Sequence, residues 1–348
     1  MSKKIIEEDL KNIISTDLPW EEFKDSTVLI SGASGFLPAY MVDTLMYLNK
    51  IRGLNIEVIG LVRNKEKALS RFANYQNRKD FRLLVQDVCS PIDCTDNIDY
   101  IIHAASQASP KYYGSDPVGT LSANILGTHN LLTLACKNSL KSFLFFSSCE
   151  VYGQVVYSQI PTKEDRYGYL DPLHLRSCYA ESKRMGETMC LSWFSQYGLP
   201  TKIVRPFHTY GFGMSLNDGR VYADFVADIL SNRDIHIKSD GMATRAFCYI
   251  ADATMGFFTV LLNGENGQAY NVGNDLCEIS IMDLANRLTT LFPDKKLNVV
   301  KDCPANDSGY LKSNVSRSCP DITKIATLGW QPKTSIEDGF RRTVLSFL

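Results

Sequence analysis

From Thr27 onward, short apolar runs alternate with longer stretches in which apolar positions recur every three or four residues. The runs Thr27–Ser31, Glu57–Val62, Arg82–Gln86, Tyr100–His103 and Ser142–Ser147 are β-branched or aromatic and carry little polar alternation. Strands of that kind are apolar on both faces, which predicts a parallel sheet covered on both sides. Between them, 38–50, 65–76 and a segment near 115–138 have helical spacing. The pattern predicts an α/β fold built on a doubly wound, Rossmann-type parallel sheet over residues 26–205. Upstream, Ile5, Leu10, Ile13 and Ile14 repeat at helical spacing, so residues 1–25 are expected to be a helical extension packed on the body or on a partner subunit. After about residue 205 the alternation weakens, and Pro, Gly and Asn gather around 206–220, 263–274 and 304–320. Residues 206–348 are therefore expected to form a smaller C-terminal α/β lobe whose chain crosses back to the first domain. There is no internal repeat.

Composition narrows the class. With 348 residues, 45% hydrophobic and 22% charged, the chain is a folded globular protein and not a fibre or a disordered tail. Lys+Arg number 37 against 38 Asp+Glu, leaving a net charge of -1 and no basic field for a nucleic-acid backbone. Phosphate recognition must then be local. The 10 cysteines are scattered, with no CxxC pair and no His cluster at zinc spacing, which predicts reduced thiols and no metal. The N-terminus is charged and lacks the apolar core of a secretory signal, and no run reaches the ~18 apolar residues of a membrane span. A cytoplasmic location without a membrane partner is expected.

Candidate chemistry begins at Gly32-Ala33-Ser34-Gly35-Phe36-Leu37-Pro38, between the first strand and a helical run. Glycines there let a turn and a helix N-terminus approach a pyrophosphate, although an ordinary strand-to-helix turn has the same look. Pro38 fills the third position of a GxxGxxG pattern, which a helix's first turn accepts. The second strand ends at Arg63, where an NAD-selective site usually has a carboxylate for the ribose 2′-hydroxyl. Arg63 cannot accept that bond; it stacks on adenine, pairs with a 2′-phosphate or lies in solvent. NAD is the expected cofactor, with NADP left open by Arg63. Asp87-Val88 sits where an adenine amino group would bind, and equally where a turn would fall. Tyr179 and Lys183 stand four apart on one helical face, so that the ammonium is expected to stabilise the phenolate and make Tyr179 a usable base. Ser147-Ser148-Cys149-Glu150 ends a strand that faces the same crevice, so Ser148 is expected to hydrogen-bond the substrate hydroxyl.

In combination, GxxGF, His103-Ala104-Ala105, Asn124, Ser147-Ser148-Cys149-Glu150-Val151-Tyr152-Gly153 and YxxxK resemble the extended short-chain dehydrogenase/reductases that act on nucleotide sugars, from about residue 26 to the C-terminus. Ala105-Ser106-Gln107-Ala108-Ser109-Pro110, Arg176-Ser177-Cys178-Tyr179, Asn217-Asp218-Gly219-Arg220-Val221, Thr244-Arg245-Ala246-Phe247 and the stretch from Pro320 to Pro332 are most similar to the UDP-glucuronate decarboxylase branch, with the 4,6-dehydratases next. The resemblance implies that Tyr179 is the base for the sugar 4-hydroxyl, that Lys183 binds the nicotinamide ribose, and that Ser148 shares the 4-oxygen. It implies cofactor contacts at Gly32, Ser34, Gly35, Phe36, Leu37, Arg63, Asp87, Val88, Ala104, Ala105, Asn124 and Pro206. On the sugar side it implies Tyr113, Cys149, Glu150 acting near C5, His208, and Arg220 and Arg245 on the diphosphate. It further implies a homodimer through a four-helix bundle made by the helices near 115–138 and 179–197.

The implied reaction oxidises C4 to a ketone, which turns a C5 carboxylate into a β-keto acid that loses carbon dioxide before hydride returns. A 4,6-dehydratase normally has an Asp before the Glu; Cys149 stands there, and a thiol of pKa ~8.5 is a poor acid. His208 replaces the decarboxylases' usual Asn, as a pocket histidine or a proton donor, and Gly213-Met214 lacks the arginine commonly seen before that Met. These departures leave 4,6-dehydration, 4-epimerisation and net C4 oxidation as alternatives within the class. A non-catalytic dinucleotide-binding regulator is the alternative outside it.

Overall fold

The computed structural model describes residues 2–302 and 315–348, so Cys303 and part of the 304–320 stretch lie outside the described residues. The first half gives α1 (Ser2–Ile14), β1 (Thr27–Ser31), α2 (Phe36–Arg52), β2 (Glu57–Val62), α3 (Lys65–Arg71), β3 (Phe81–Val85), β4 (Tyr100–His103), α4 (Pro110–Ser115), α5 (Pro117–Ala135), β5 (Ser142–Phe146), α6 (Ser177–Tyr197) and β6 (Thr201–Pro206). The second half adds β7 (Thr209–Tyr210), α7 (Val221–Leu230), β8 (Ile235–Ile237), β9 (Thr244–Ala246), β10 (Cys248–Tyr249), α8 (Ile250–Asn263) and β11 (Gln268–Val272). It closes with β12 (Glu278–Ser280), α9 (Ile281–Leu291), β13 (Val299–Lys301), β14 (Arg317–Ser318), α10 (Thr323–Ala326) and α11 (Ile336–Ser346).

Seven strands make the main sheet in the order β11-β6-β5-β4-β1-β2-β3, and every ladder in it is parallel. The period of two along each strand sorts its side chains between two layers. Val28, Ile30, Tyr100, Ile102, Leu144 and Phe146 join a core with α2 and α8. Leu29, Ile101, Phe143 and Phe145 join another with α5 and α6. Because strand order reverses between β1 and β4, their C-terminal ends open a crevice where a ligand can enter a doubly wound sheet. β11 follows α8 from the second half and completes the sheet beside β6. The remaining short strands pair as β7 with β10, β8 with β13, and β9 between β12 and β14.

Local departures from the sequence pattern have physical causes. The helical stretch over 65–76 stops at Arg71, because Phe72 turns inward and packs with Tyr75 and Phe81 around a 3₁₀ turn. The long helix near 115–138 begins after Asp116, whose carboxylate caps the Gly119 N–H at 3.0 Å, and ends at Ala135. The helix of the N-terminal extension ends at Ile14, and Pro19 precedes a 3₁₀ turn at Trp20–Phe23. Ile5, Leu10, Ile13 and Ile14 are buried. Buried Asp9 accepts hydrogen bonds from Tyr40 of α2 (2.9 Å), Tyr249 (2.7 Å) and Arg342 of α11 (2.7 Å). Burial raises its pKa against those partners. Among the described residues, no helix is long and apolar enough to cross a membrane, no His/Cys/Asp/Glu group could hold a metal, and the nine cysteines are free.

Candidate active site

The crevice begins at the turn after β1. Gly32 has φ +66°, and a Cβ there would lie 2.7 Å from Ala105 Cα, so the turn closes against the chain leaving β4 with no room for a side chain. Gly35 stands at the N-cap of α2 and offers no side chain to its first N–H groups, while Pro38 falls in the first turn, where its missing N–H removes nothing. Such a turn fits the pyrophosphate of a dinucleotide, with half-buried Ser34, Phe36 and Leu37 around it. Beneath it, Ser31 Oγ accepts from the Ala104 and Ala105 N–H groups (3.2 and 3.1 Å) and bonds His103 Nδ1 at 2.8 Å. His103 Nε2 lies 3.0 Å from Thr128 Oγ1. Burial, with the nearby Lys183 charge, pushes the His103 pKa down to about 3, so the ring is a neutral strut between β1, β4 and α5.

At the outer edge, Arg63 Nη1 lies 3.9 Å from Asp87 Oδ2, and Asp87 Oδ1 caps the Cys89 N–H at 2.9 Å. Both ion-pair partners are exposed, so the pair is weak. Val88 is buried against Gly127, where a Cβ would meet its Cγ1 at 2.9 Å, and its carbonyl accepts from Asn130 at 2.9 Å. Its side chain thus packs rather than faces the crevice. Pro206 ends β6 opposite Val272.

One turn of α6 presents Tyr179 and Lys183 together, with the Lys183 Nζ 5.8 Å from the phenol ring centre. Lys183 donates to the Phe146 carbonyl at the end of β5 (2.7 Å), and desolvation lowers its pKa to about 7. Tyr179 is pushed up to about 12, since burial outweighs a Ser148 hydrogen bond and the Arg220 charge. This differs from the sequence expectation of a lowered phenol pKa. The ammonium is itself desolvated and turned to a backbone carbonyl, and the sequence pattern contains no term for burial. Asn124 Nδ2 donates to Ser182 Oγ (2.9 Å), which donates to the Tyr179 carbonyl (2.9 Å). The buried Asn124 Oδ1 has no partner among the described residues, an open acceptor beside the crevice.

Beyond Tyr179, β5 runs into the short turn Cys149–Tyr152, which Ser148 caps by accepting the Glu150 N–H at 3.2 Å. A cleft of about 210 Å³ opens there, lined among others by Cys149, Glu150, Arg176, His208, Arg245 and Arg317. Burial pushes the Cys149 thiol up to about 12, so it stays neutral. His208 is held neutral by burial and by the Arg245 and Arg220 charges, with Nε2 3.1 Å from Ser318 Oγ, which makes it a satisfied pocket histidine and a poor proton donor. Arg245 donates to the Thr244 and Val315 carbonyls at 2.7 and 2.8 Å. Tyr113 and Arg220 stand behind this cleft: the Tyr113 ring stacks on Tyr179 at 5.0 Å and 16°, and both residues donate to the Ala108 carbonyl, at 3.1 and 2.6 Å.

Sequence reasoning gave no role to Arg176, Arg317 or the pair beneath the site, Glu187 and Arg205. Arg317 grips Glu278 with two bonds (2.7 and 2.8 Å). Arg205, almost fully buried, holds Glu187 through two bonds (2.8 and 2.6 Å) and also donates to Tyr152 and Tyr167. Arg176 stands three residues before Tyr179 in Arg176-Ser177-Cys178-Tyr179, and that spacing is its signal in the sequence.

Known proteins resemble this chain along most of its length. Residues 28–273 match the NAD dependent epimerase/dehydratase family. UDP-glucuronic acid decarboxylase 6 of Arabidopsis thaliana is 33% identical over 314 residues, 90% of this chain and 86% of that protein. UDP-glucuronic acid decarboxylase 1 of Danio rerio is 32% identical over 326 residues, 92% of this chain and 72% of that protein. The fold is shared with UDP-glucose 4-epimerase of Thermotoga maritima, solved with UDP-glucose, at a TM-score of 0.79 and 24% identity, covering 92% of this chain and 98% of that one. A glycine turn closed against β4, a Tyr-Lys pair facing it and sequence similarity along nine-tenths of the length leave one assignment: the chain is a member of the NAD-dependent epimerase/dehydratase family.

Proposed function

We propose that this protein oxidises C4 of a nucleotide sugar carrying a C5 carboxylate and decarboxylates it, converting UDP-glucuronate to UDP-xylose. The observation that carries the reading is Glu150, which lines the cleft one short turn beyond Ser148 while its neighbour Cys149 stays a neutral thiol. Names of the relatives at 32–33% identity support the same reading.

NAD, when bound, supplies a hydride acceptor and a positive charge; the Gly32–Leu37 turn, Ala104, Ala105, Asn124 and Lys183 would hold it, with Arg63, Asp87 and Val88 at the adenosine end and Pro206 across the crevice. Tyr179 takes the proton of the sugar 4-hydroxyl, for which its phenol must leave the neutral state that burial imposes. Ser148, already bonded to that phenol, shares the 4-oxygen. Loss of the proton and of hydride from C4 leaves a 4-ketone. The C5–C6 bond then breaks, its electron pair passes into the ketone as an enolate, and carbon dioxide departs. A proton from water, guided by Glu150, takes the place of the lost carboxylate on C5, and Tyr179 gives its proton back to the 4-oxygen as C4 regains its hydride. Arg220 and Arg245 grip the diphosphate with planar donors, and Tyr113 keeps the Tyr179 ring in place. A thiol held at about 12 does not expel a 6-hydroxyl as a dehydratase acid must. The working assembly is proposed to be a cytoplasmic homodimer joined through α5 and α6, whose exposed Leu126, Met185 and Leu191 would be covered.

The test is mass spectrometry of products from UDP-glucuronate and, separately, from UDP-, dTDP-, CDP- and GDP-hexoses, each with NAD and NADP. Carbon dioxide and a nucleotide pentose from UDP-glucuronate are the expected products. Water loss or net reduced cofactor from a hexose, with UDP-glucuronate untouched, would replace this reading.

A further inference from the structure

We propose that Arg176 is a positioning residue that holds Glu150 and the Tyr113–Tyr179 ring pair as one unit on the cleft wall. The inference deepens the proposed function and rests on it for the reaction used as one readout. Arg176 directly precedes α6, and its Nη2 donates to Glu150 Oε1 at 3.2 Å. The guanidinium carbon also lies 5.3 Å from the centre of the Tyr113 ring, whose plane is 16° from that of Tyr179 at 5.0 Å. Tyr113 therefore touches both the cation and the Tyr179 ring, and the same cation carries the carboxylate.

Tyr113 cannot slide out of this stack easily. Its hydroxyl is tied to the Ala108 carbonyl, which Arg220 also holds. The Arg176 side chain is 13% exposed and that of Glu150 32%, so the pair is screened less than a surface ion pair. A planar guanidinium donates through its edge while lying on an aromatic face; an ammonium has no face to stack and no fixed fork. Without Arg176, Glu150 has lost its ion-pair partner and Tyr113 one side of its stack. A displacement of about 1 Å at reacting groups costs on the order of 100-fold in rate.

Arg176→Lys and Arg176→Met are to be compared with wild type on whichever nucleotide sugar the wild type turns over. The expected result is a kcat lower by about 30- to 100-fold in both, with KM within about threefold and the NAD Kd, by titration, unchanged. Turnover of Arg176→Lys close to wild type, or a defect confined to KM, overturns the proposal; the latter would make Arg176 a substrate-binding cation. If the wild type turns over no sugar, the proposed function fails by itself, and the inference is read without substrate. A thermal-melting cycle of Arg176→Met, Glu150→Gln and the double variant should then be non-additive, and additive Tm shifts overturn it. Should Arg176→Met not fold, Arg176→Gln takes its place in both experiments.

Discussion

Gly32 and Ala105 meet at the ends of adjacent strands across a gap too small for a Cβ, so that half of the site is closed by backbone. Glu150, Arg176, His208, Arg245 and Arg317 share one cleft but come from five separate segments of the chain. The first half is a property of strand ends, and any side chain placed there interferes. The second is a convergence of charged side chains, some of them held by partners distant in the sequence, Arg176 by Glu150 and Arg317 by Glu278.

Substitutions can break this contrast at the seam or on either side. At the seam, Tyr179→Phe should lower kcat by about 10³-fold, the range for removing a general base, with NAD affinity intact by titration; normal turnover would remove Tyr179 from the mechanism. On the cofactor side, Gly32→Ala forces a side chain into positive φ and onto Ala105, and should weaken NAD binding by about 30-fold, the equivalent of about 2 kcal/mol of strain. An unchanged NAD Kd would mean that the turn does not hold the pyrophosphate.

His103 extends the test to pH. Its folded pKa of about 3 is below the ordinary 6.5, so between those values the unfolded chain binds the extra proton. Stability is therefore full above pH 6.5 and falls as pH drops toward 3, by about 2 kcal/mol at pH 5. Denaturant melts at pH 7.5 and pH 5 should show a loss about 2 kcal/mol larger in wild type than in His103→Gln, the part due to buried His208 being common to both. The smallest effect is on the sugar side, where Arg245→Ala should raise substrate KM by about 10-fold, as for one lost charge-assisted contact, and leave the NAD Kd unchanged. A shift in the NAD Kd instead would erase the division between the halves.

The strands from Thr27 to Phe146, the glycine turn and the Tyr-Lys spacing were legible because each is a local pattern of period two, of period 3.6 or of fixed offset. Three things were not. Tyr179 has its pKa raised where lysine proximity argued for lowering, because the outcome depends on how much water the fold excludes. Arg176 and Arg317 acquire meaning through Glu150 and Glu278, partners 26 and 39 residues away. Asp9, in an amphipathic helix with acidic and basic neighbours, reads as solvent-facing, yet two tyrosines and an arginine from distant elements converge on it.

That carboxylate also bears on the order of assembly. Arg342, the charged partner of Asp9, lies 333 residues later in the chain. Once α2 is made, α1 can lean on it through Tyr40, but the Asp9 carboxylate gains its Arg342 partner only with α11. α1 and α11 are thus fastened to each other, and a nascent chain that stalls before α11 leaves the Asp9 carboxylate without the guanidinium it faces in the fold.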